Sequence, residues 1–394
     1  MTSRSRTTFP EGVALRLAVL TCFSMLLAAC SVPAAPQSVD VPATVAPVTV
    51  ERAAPSAAAL RPPTATLAAT FTPQGLPAVA TPRLEAPAAP SLRLASATAT
   101  PEAARQVQLM AVGDVMLARS IGARIQRQGP EVPFAAVAPT LNQADLTVAN
   151  LECSISDRGQ PQPKAYTFRA PPAAAESLAL AGIDVVSLAN NHAMDYGSEA
   201  LADTLQLLDQ RGVAAVGAGA NAAAAHAPVV VERHGLKIAF LAFVDVPVEG
   251  GGFDTRRWVA TATEPGVAWA DVASIAADVA AARAEADVVV VLLHFGFEGR
   301  SEPGPAQRDQ AHAAIDAGAS LVLGAHPHVL QPVEAYHGGV IVYSLGNFVF
   351  DGFQGVANTS TIFVATLTRE GVQDFSFIPV KVNTGLPHLA DPSS

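Results

Sequence analysis

The sequence has few cysteines and no excess of positive charge. The first shortage argues against a disulfide-stabilised fold, and the second argues against a nucleic-acid-binding protein. Among 394 residues only Cys22, Cys30 and Cys153 are cysteine. Only Cys153 lies in the part that we expect to fold, so no intramolecular disulfide is predicted there. The formal net charge is −10 and the pI is about 5.3. This excess of negative charge disfavours general nucleic-acid binding, so we expect no nucleic-acid partner.

Long apolar runs are also scarce, and the most telling one lies near the N-terminus. Basic residues precede an apolar run over residues 17–29, which is too short to span a bilayer comfortably. The run ends in Leu-Ala-Ala followed by Cys30, which resembles a bacterial lipobox. The resemblance implies a lipoprotein signal peptide over residues 1–29 and lipidation of Cys30, hence an extracytoplasmic protein anchored to a cell membrane. The alternative is ordinary secretory cleavage nearby, with Cys30 incidental.

Aromatic side chains are almost missing from the next segment, residues 30–105, where Phe71 stands alone. Alanine, proline, threonine, valine and serine dominate the segment, and its prolines interrupt any helix or strand ladder. Such a composition cannot build a packed core. We therefore expect a disordered, fairly extended stalk.

Strand-like and helix-like patterns alternate over residues 106–383, where we expect the folded domain. The strand-like runs are almost continuously apolar, which is typical of strands buried on both faces of a layered α/β protein. Helices are predicted over residues 198–210, 271–286 and 305–317 from the spacing of apolar residues and from glycine or proline at their ends. Residues 384–394 are expected to form a C-terminal tail.

Polar residues follow six of the strand-like runs. Ligands of open α/β sheets gather outside the carboxyl ends of the strands, so these residues predict a single site. The residues are Asp114, Glu152, Asn190-Asn191-His192, His294, His326-Pro327-His328 and Asn347.

Two imidazoles flank Pro327, and residues i and i+2 of an extended chain point the same way. Pro327 favours extended geometry at His326, so both rings can reach one locus as ligands for zinc, iron or related ions. The alternative is two histidines that hydrogen-bond within a loop. His294 ends the most apolar run of the chain, and Glu298 behind it either orients an imidazole or is a surface charge.

Asp114 and Glu152 supply carboxylates that complete the mixed oxygen and nitrogen set of two-metal catalytic sites. Either residue could instead be a helix cap or a surface charge. A thiol nucleophile at Cys153 is poorly supported, because it sits beside Glu152 at the end of a buried strand, and inert packing is favoured.

Asn191 and its neighbours form the second strong signal. An amide oxygen can bind metal, while His192 faces the substrate as a general acid and Asp195 holds its other ring nitrogen. The alternative is an asparagine-rich turn before a helix. Three arginines are either anion clamps or solvated surface side chains: Arg119, Arg300 and Arg308.

Taken in order, these motifs resemble the CapA family of bacterial capsule-synthesis proteins, which includes poly-γ-glutamate biosynthesis accessory proteins. The resemblance covers about residues 108–351. It rests on Gly113-Asp114-Val115-Met116, Asn150-Leu151-Glu152, Asn190-Asn191-His192 with Asp195 and Gly197, His294-Phe295-Gly296-Phe297-Glu298, Gly324-Ala325-His326-Pro327-His328-Val329 with Gln331, and Tyr343-Ser344-Leu345-Gly346-Asn347-Phe348. The family is similar to calcineurin-like metallophosphoesterases, which implies a four-layer αββα sandwich.

The resemblance also implies roles for individual residues. It implies one or two divalent ions, of manganese, iron or zinc, and His192 as the histidine that protonates the leaving group, with Asp195 beside it. The implied metal ligands are Asp114, Glu152, Asn191, His294, His326 and His328, and the expected substrate contacts are Arg119, Glu298 and Asn347.

Two departures from the phosphoesterase pattern bear on activity. Met116 stands where that pattern has a histidine, and Glu152 replaces the shorter bridging aspartate. A thioether is a poor ligand for hard divalent ions, so one metal position is expected to be weakened or lost.

Three functions are compatible with these observations. The resemblance implies work on an anionic cell-surface polymer, with capsule synthase or export subunits as candidate partners. One hypothesis is a metal-dependent phosphoesterase or polymer hydrolase in which metal-bound hydroxide attacks and His192 protonates the leaving group. The second is an accessory protein that binds, guides or retains the polymer, which the missing histidine modestly favours. The third is an export-linked binding protein with a vestigial site.

Overall fold

The computed structural model of the protein describes residues 105–390. The predicted signal peptide, Cys30 and nearly all of the predicted stalk lie outside the described residues. Within these residues, no helix combines the length and the apolar character that crossing a bilayer requires.

The described residues form eighteen strands and seven α-helices. The strands are β1 (Val107–Val115), β2 (Leu146–Leu151), β3 (Ser154–Ile155), β4 (Arg169–Ala170), β5 (Val185–Ser187), β6 (Ala214–Val216), β7 (Ala218–Gly219), β8 (Val229–Arg233), β9 (Leu236–Asp245), β10 (Gly266–Val267), β11 (Val288–Phe295), β12 (Leu321–Ala325), β13 (Val333–Tyr336), β14 (Gly339–Val342), β15 (Asn347–Val349), β16 (Thr359–Thr368), β17 (Gly371–Asn383) and β18 (Leu386–Leu389). The helices are α1 (Arg119–Gln128), α2 (Ala138–Leu141), α3 (Ala174–Leu180), α4 (Gly197–Asp209), α5 (Ala222–His226), α6 (Val272–Glu285) and α7 (Pro305–Asp316).

Two mixed sheets carry the fold. The first has the order β18-β17-β16-β1-β2-β5-β6, with β15 also paired to β1. Its strands β1, β2, β5 and β6 run parallel. The second has the order β13-β14-β12-β11-β9-β8, in which β9, β11, β12 and β14 run parallel. The parallel strands of each sheet end at one edge of that sheet, where loops can gather functional side chains.

The apolar run of β11 shows why the layers form. Val290 and Leu292 belong to a buried cluster that includes Val148 of the first sheet. Val291 and Leu293 point the other way and pack in a cluster with residues of α6 and α7. Helix α4 contacts β6 and β3, on the side of the first sheet. The predicted four-layer α/β sandwich is therefore confirmed.

Helix ends agree with the sequence prediction to within a residue or two, but the predicted end of the domain does not. We expected a tail from residue 384, whereas β18 pairs with β17. The backbone N–H of Phe350 also donates to the carbonyl of Gly385, at 3.1 Å. The strand was missed because it is short and contains Pro387, which is tolerated on an edge strand.

Candidate metal centre

The ends of three strands bring together Asp114, Glu152 and His294. Asp114 lies near the end of β1, Glu152 follows β2 directly, and His294 is the penultimate residue of β11. All three are buried, and one ligand atom of each lies within 4.8 Å of the others. Because β1 and β2 belong to the first sheet and β11 to the second, the cluster joins the two sheets.

A second group of candidate ligands adjoins the first. It consists of Glu298, His326 and His328, whose ligand atoms also lie within 4.8 Å of one another. The two histidines are buried and Glu298 is exposed. Nδ1 of His328 lies 3.1 Å from a carboxylate oxygen of Asp114, so the two groups are contiguous.

Asn191 completes the predicted ligand set. Its Oδ1 lies 2.7 Å from Nε2 of His294, and the side chain is buried in the loop that follows β5. The structure thus brings together all six residues that the sequence proposes as metal ligands.

The loop geometry around Pro327 differs from the prediction. We expected His326 and His328 in extended chain, but their φ angles are +95° and +56°. Side chains other than glycine rarely adopt this region, and surrounding contacts must hold them there. One such contact is the hydrogen bond from the N–H of Gly299 to the carbonyl of Pro327, at 2.8 Å. The imidazoles therefore converge through a tight turn rather than along a strand, because tertiary contacts outweigh the local preference of the residue before proline.

Two unpartnered atoms indicate that this cluster fits a cation. Oε1 of Glu152 and Nδ1 of His326 are buried without a hydrogen-bond partner among residues 105–390. Buried polar atoms in folded proteins are nearly always paired, so each orphan calls for an explanation. Carboxylate oxygens, imidazole nitrogens and an amide oxygen make a donor set suited to divalent ions of the manganese, iron or zinc type. We conclude that the residues present fit a divalent metal.

Cys153 is not part of this donor set. Its buried Sγ lies 3.5 Å from the backbone N–H of Leu117, which donates to it. Burial raises the pKa of the thiol to about 12. The thiol therefore stays protonated at neutral pH, in agreement with the favoured inert packing.

Burial shifts the pKa values of the cluster in a way that favours metal binding at the imidazoles, whereas at Glu152 a metal would have to displace a proton. Burial, reinforced by the charge of Asp114, raises the pKa of Glu152 well above its usual value. Burial acts to raise the pKa of Asp114 too, but its hydrogen bond and charge interaction with His328 bring it below the usual value. Burial lowers the pKa of His326 to about 3 and that of His294 well below 6.5. Neutral imidazoles are the form that binds metals.

His192 and Asp195 form a pair beside the cluster. Nδ1 of His192 lies 2.7 Å from Oδ2 of Asp195, and Nε2 lies 3.9 Å from Oε1 of Glu152. The ring stacks on Phe168 with a centroid separation of 4.1 Å. Burial lowers the pKa of His192, partly opposed by the charge of Asp195. The ring is fixed with Nδ1 toward the carboxylate and Nε2 toward the cluster.

A cleft of about 610 Å³ opens over the cluster. Its lining includes Asn191, His192, Glu298 and His326. Reacting groups could therefore reach the candidate metal ligands from solvent.

Two predicted substrate contacts lie elsewhere. Asn347 is fully buried, and its Oδ1 lies 2.9 Å from Nδ1 of His328. Arg119 pairs with Asp351, and its guanidinium lies 4.8 Å from the centroid of Phe168. Neither residue lines the cleft. In the sequence, an amide at a strand end looks the same whether it faces a ligand or supports one.

Sequence reasoning missed several residues of the site. Asn150 places Nδ2 within 3.2 Å of Asp114 and Glu152, and its position beside Glu152 could have marked it. Lys164 and Glu249 contact Asn191 from two loops. No periodic pattern or strand end distinguishes these loop residues, so the sequence carried no comparable signal for them.

The described part of the chain is similar to known bacterial proteins. Residues 108–352 match the family described as bacterial capsule synthesis protein PGA_cap. The chain is 34% identical to the PGA biosynthesis protein CapA of Bacillus subtilis (strain 168) over 281 residues, which cover 70% of this chain and 72% of that protein. It is 32% identical to the capsule biosynthesis protein CapA of Bacillus anthracis over 286 residues, or 70% and 67%. A phosphatase of Mycoplasma pneumoniae aligns in three dimensions with a TM-score of 0.45 and 13% identity, over 74% of this chain and 96% of that one.

Proposed function

Because the chain belongs to the PGA_cap family of bacterial capsule synthesis proteins, we propose that it acts in the synthesis, export or retention of an anionic cell-surface polymer of the poly-γ-glutamate kind. Its working part is the divalent metal centre at the strand ends. The observation that carries the proposal is the convergence of six candidate ligands beneath an open cleft, with the orphaned atoms of Glu152 and His326 among them.

The ligands divide into two groups that could hold one or two ions. Asp114, Glu152 and His294 form one group, and Glu298, His326 and His328 form the other. A bound divalent ion supplies Lewis acidity and positive charge for an anionic substrate group. Met116 is not among the candidate ligands, because its Sδ accepts a hydrogen bond from the N–H of Ala118 at 3.2 Å. Glu298, which we expected to contact substrate, is a further candidate carboxylate ligand.

Hydrolysis of a phosphoester or of a polymer bond is a second candidate function, favoured by the His192–Asp195 pair. When the Nδ1–H of His192 donates a hydrogen bond to Asp195, the lone pair on Nε2 is directed toward the cluster. Protonation at Nε2 forms an imidazolium that the carboxylate stabilises. His192 can then give this proton to a leaving group in the cleft.

Metal analysis of the purified protein tests the centre. We expect near-stoichiometric manganese, iron or zinc in the natural protein and its loss when His326→Ala and His328→Ala are combined. A variant with His337→Ala and His388→Ala, two exposed histidines, is the matched control and should keep the metal. A natural protein without metal contradicts the proposal.

Turnover separates the two candidate functions. The metal-loaded protein is assayed on a phosphomonoester and on γ-glutamyl oligomers. Release of product that disappears in the variant lacking both imidazoles supports hydrolysis. Full metal occupancy with no product from any of these compounds rejects hydrolysis and leaves the accessory role in polymer handling.

We propose that lipidation of Cys30 anchors the protein to a membrane. There it would contact partner subunits of a capsule synthase or exporter. A Cys30→Ser variant expressed in a bacterial host should lose membrane association because no acceptor thiol remains for the lipid. Fractionation of cells measures this. Cys22→Ser is the matched control, and unchanged fractionation of the Cys30→Ser variant would reject the anchor.

A further inference from the structure

Lys164 carries a fully buried ammonium group beside the candidate metal centre, in the loop between β3 and β4. Its Nζ lies 2.6 Å from the backbone carbonyl of Asn191, 2.7 Å from Oδ1 of Asp195 and 2.6 Å from Oε1 of Glu249. An ammonium group has three N–H donors, so every donor of Lys164 has its own acceptor. Its partners include a candidate metal ligand and the carboxylate that holds His192.

Glu249 determines which side of the Asn191 amide faces the centre. Its Oε1 accepts a hydrogen bond from Nδ2 of Asn191 at 2.9 Å. The donor nitrogen of the amide is thereby directed away from the cluster, and Oδ1 lies 2.7 Å from Nε2 of His294. Because the orientation of an asparagine amide follows from its hydrogen bonds, Glu249 keeps the metal-binding atom of Asn191 directed inward.

Glu249 belongs to a glycine-rich turn that packs onto Lys164. The turn is closed by hydrogen bonds from the N–H of Glu249 to the carbonyl of Phe253 and from the N–H of Gly252 to the carbonyl of Glu249, each of 3.0 Å. The rings of Phe253 and Trp258 lie 5.8 and 4.9 Å from Nζ of Lys164, within cation–π range. One buried cation therefore touches both this loop and the site.

We infer that Lys164 and Glu249 are positioning residues, which orient Asn191 and the His192–Asp195 pair and couple the docking of loop 247–258 to the metal centre. This inference deepens the proposed function and rests on it for the identity of the ligand. A buried lysine between two carboxylates is held only while all its partners stay in place, since an unpaired buried charge is strongly unfavourable. Loop docking and ligand orientation are thus two aspects of one arrangement.

Titration of the full-length protein with Mn²⁺ tests the positioning role. Lys164→Met and Glu249→Ala should each weaken Mn²⁺ binding by about 10- to 100-fold, the range known for residues that orient metal ligands. The combined variant should lose little more than the larger single loss, because both changes remove one arrangement. Lys164→Arg, which keeps the charge, should restore part of the affinity. Lys237→Met and Glu264→Ala, at exposed positions, are the controls.

Hydrogen exchange of the metal-free protein provides a readout that needs no metal. The amides of residues 249–253 should exchange at least about tenfold faster in Lys164→Met than in the natural protein, while those of β11 stay unchanged. If the Lys164→Met variant does not fold, both Mn²⁺ binding and hydrogen exchange are measured on the Glu249→Ala variant.

The outcomes separate the inference from the proposed function. A natural protein that binds no Mn²⁺ rejects the proposed function, and loop exchange then decides the inference alone. If the variants bind Mn²⁺ as tightly as the natural protein and their loop amides exchange at the same rate, the inference is overturned even if the metal centre is real. Uniformly faster exchange throughout the variants also overturns it, since that indicates general destabilisation.

Discussion

At the scale of single residues, the pKa values of His294 and His326 are lowered, so these two rings stay neutral. Burial removes the water that would stabilise an imidazolium, and neighbouring imidazoles add to this at His294 and His326. The same desolvation that prepares these rings for a cation makes them costly to protonate. The lowered pKa values therefore have a consequence for stability as well as for ligand binding.

The metal-free protein should lose stability in acid through His326. Its pKa is about 3 in the folded protein against 6.5 in the unfolded chain, so the unfolded state binds the extra proton. The stabilisation is complete above pH 6.5 and decreases as the pH falls from 6.5 toward 3. From pH 6.5 to pH 5 the loss for this one group is about 2 kcal/mol.

Urea unfolding of the chelator-treated protein at both pH values measures this effect. Glu152 acts in the opposite direction, because its raised pKa favours the folded state as the pH falls toward 4.5. The contribution of His326 is therefore the difference in pH dependence between the natural protein and His326→Gln. Equal pH dependence in both proteins would contradict the prediction.

Asn347 should affect metal binding without touching substrate. Asn347→Leu keeps the volume but removes the partner of Nδ1 of His328 and the donor to the carbonyl of Ala357. We expect a loss of about 1–3 kcal/mol in the free energy of unfolding, from the unpaired buried groups, and weaker Mn²⁺ binding. Denaturant unfolding and metal titration measure the two effects. Asn383→Leu, at an exposed position of β17, should change neither.

The candidate ligands could be predicted from the sequence because each directly follows, or ends, a strand-like apolar run. Asp114 and His294 are examples, since the position of a strand end is encoded locally. The contact of Asn347 with His328 and the contacts of Lys164 with Asp195 and Glu249 could not be predicted in this way. These contacts depend on which loops lie next to each other in the folded protein. The sequence of a loop without a periodic pattern does not indicate which other loops it will contact.

At the scale of secondary-structure elements, one glycine sets how closely β1 approaches the loop before β15. A Cβ added at Gly113 would lie 1.8 Å from the carbonyl oxygen of Gly346. The N–H of Asp114 donates to that same carbonyl, at 2.9 Å. The close approach therefore fixes the backbone of Asp114 where its carboxylate meets the cluster.

Gly113→Ala should separate these two segments and disturb the centre. We expect destabilisation of about 3 kcal/mol or more, since overpacking against backbone cannot be relieved by a side-chain rotation. Gly250→Ala meets no atom within 4 Å and is the control. Thermal unfolding compares the two variants, and equal melting temperatures would show that the approach of β1 is not constrained.

Among the elements, helices and buried parallel strands were predictable, and the antiparallel edge was less so. The continuous apolar run of β11 predicts a strand that is buried on both faces. Gly212 and Gly318 each mark the end of a helix in the sequence. Strand β17 exposes most of its length, and β18 contains a proline. Strands at the edge of the sheet or next to it form by pairing with a neighbour rather than from their own apolar pattern, so their sequences resemble those of loops.

At the scale of the whole described region, the candidate centre lies where two sheets meet. Asp114 and Glu152 come from the first sheet, and His294 from the second. An ion that binds this set only in the folded state stabilises the fold by mass action, by about 2.7 kcal/mol at a concentration 100 times its Kd.

Metal addition should therefore raise the melting temperature. We expect an increase of about 5 °C for the chelator-treated natural protein when Mn²⁺ is added at about 100 times its Kd. The variant lacking the imidazoles of His326 and His328 should show no increase. Differential scanning calorimetry measures both, and an equal increase in the two proteins would indicate binding elsewhere.

The siting of the centre between two sheets has a consequence for the lifetime of the protein. Proteases cleave chains mainly when these open, and a bridging ion would hold together the two halves that have to part. Scarcity of the ion would then shorten survival before it limits function, and the abundance of the protein would report the supply of metal around it.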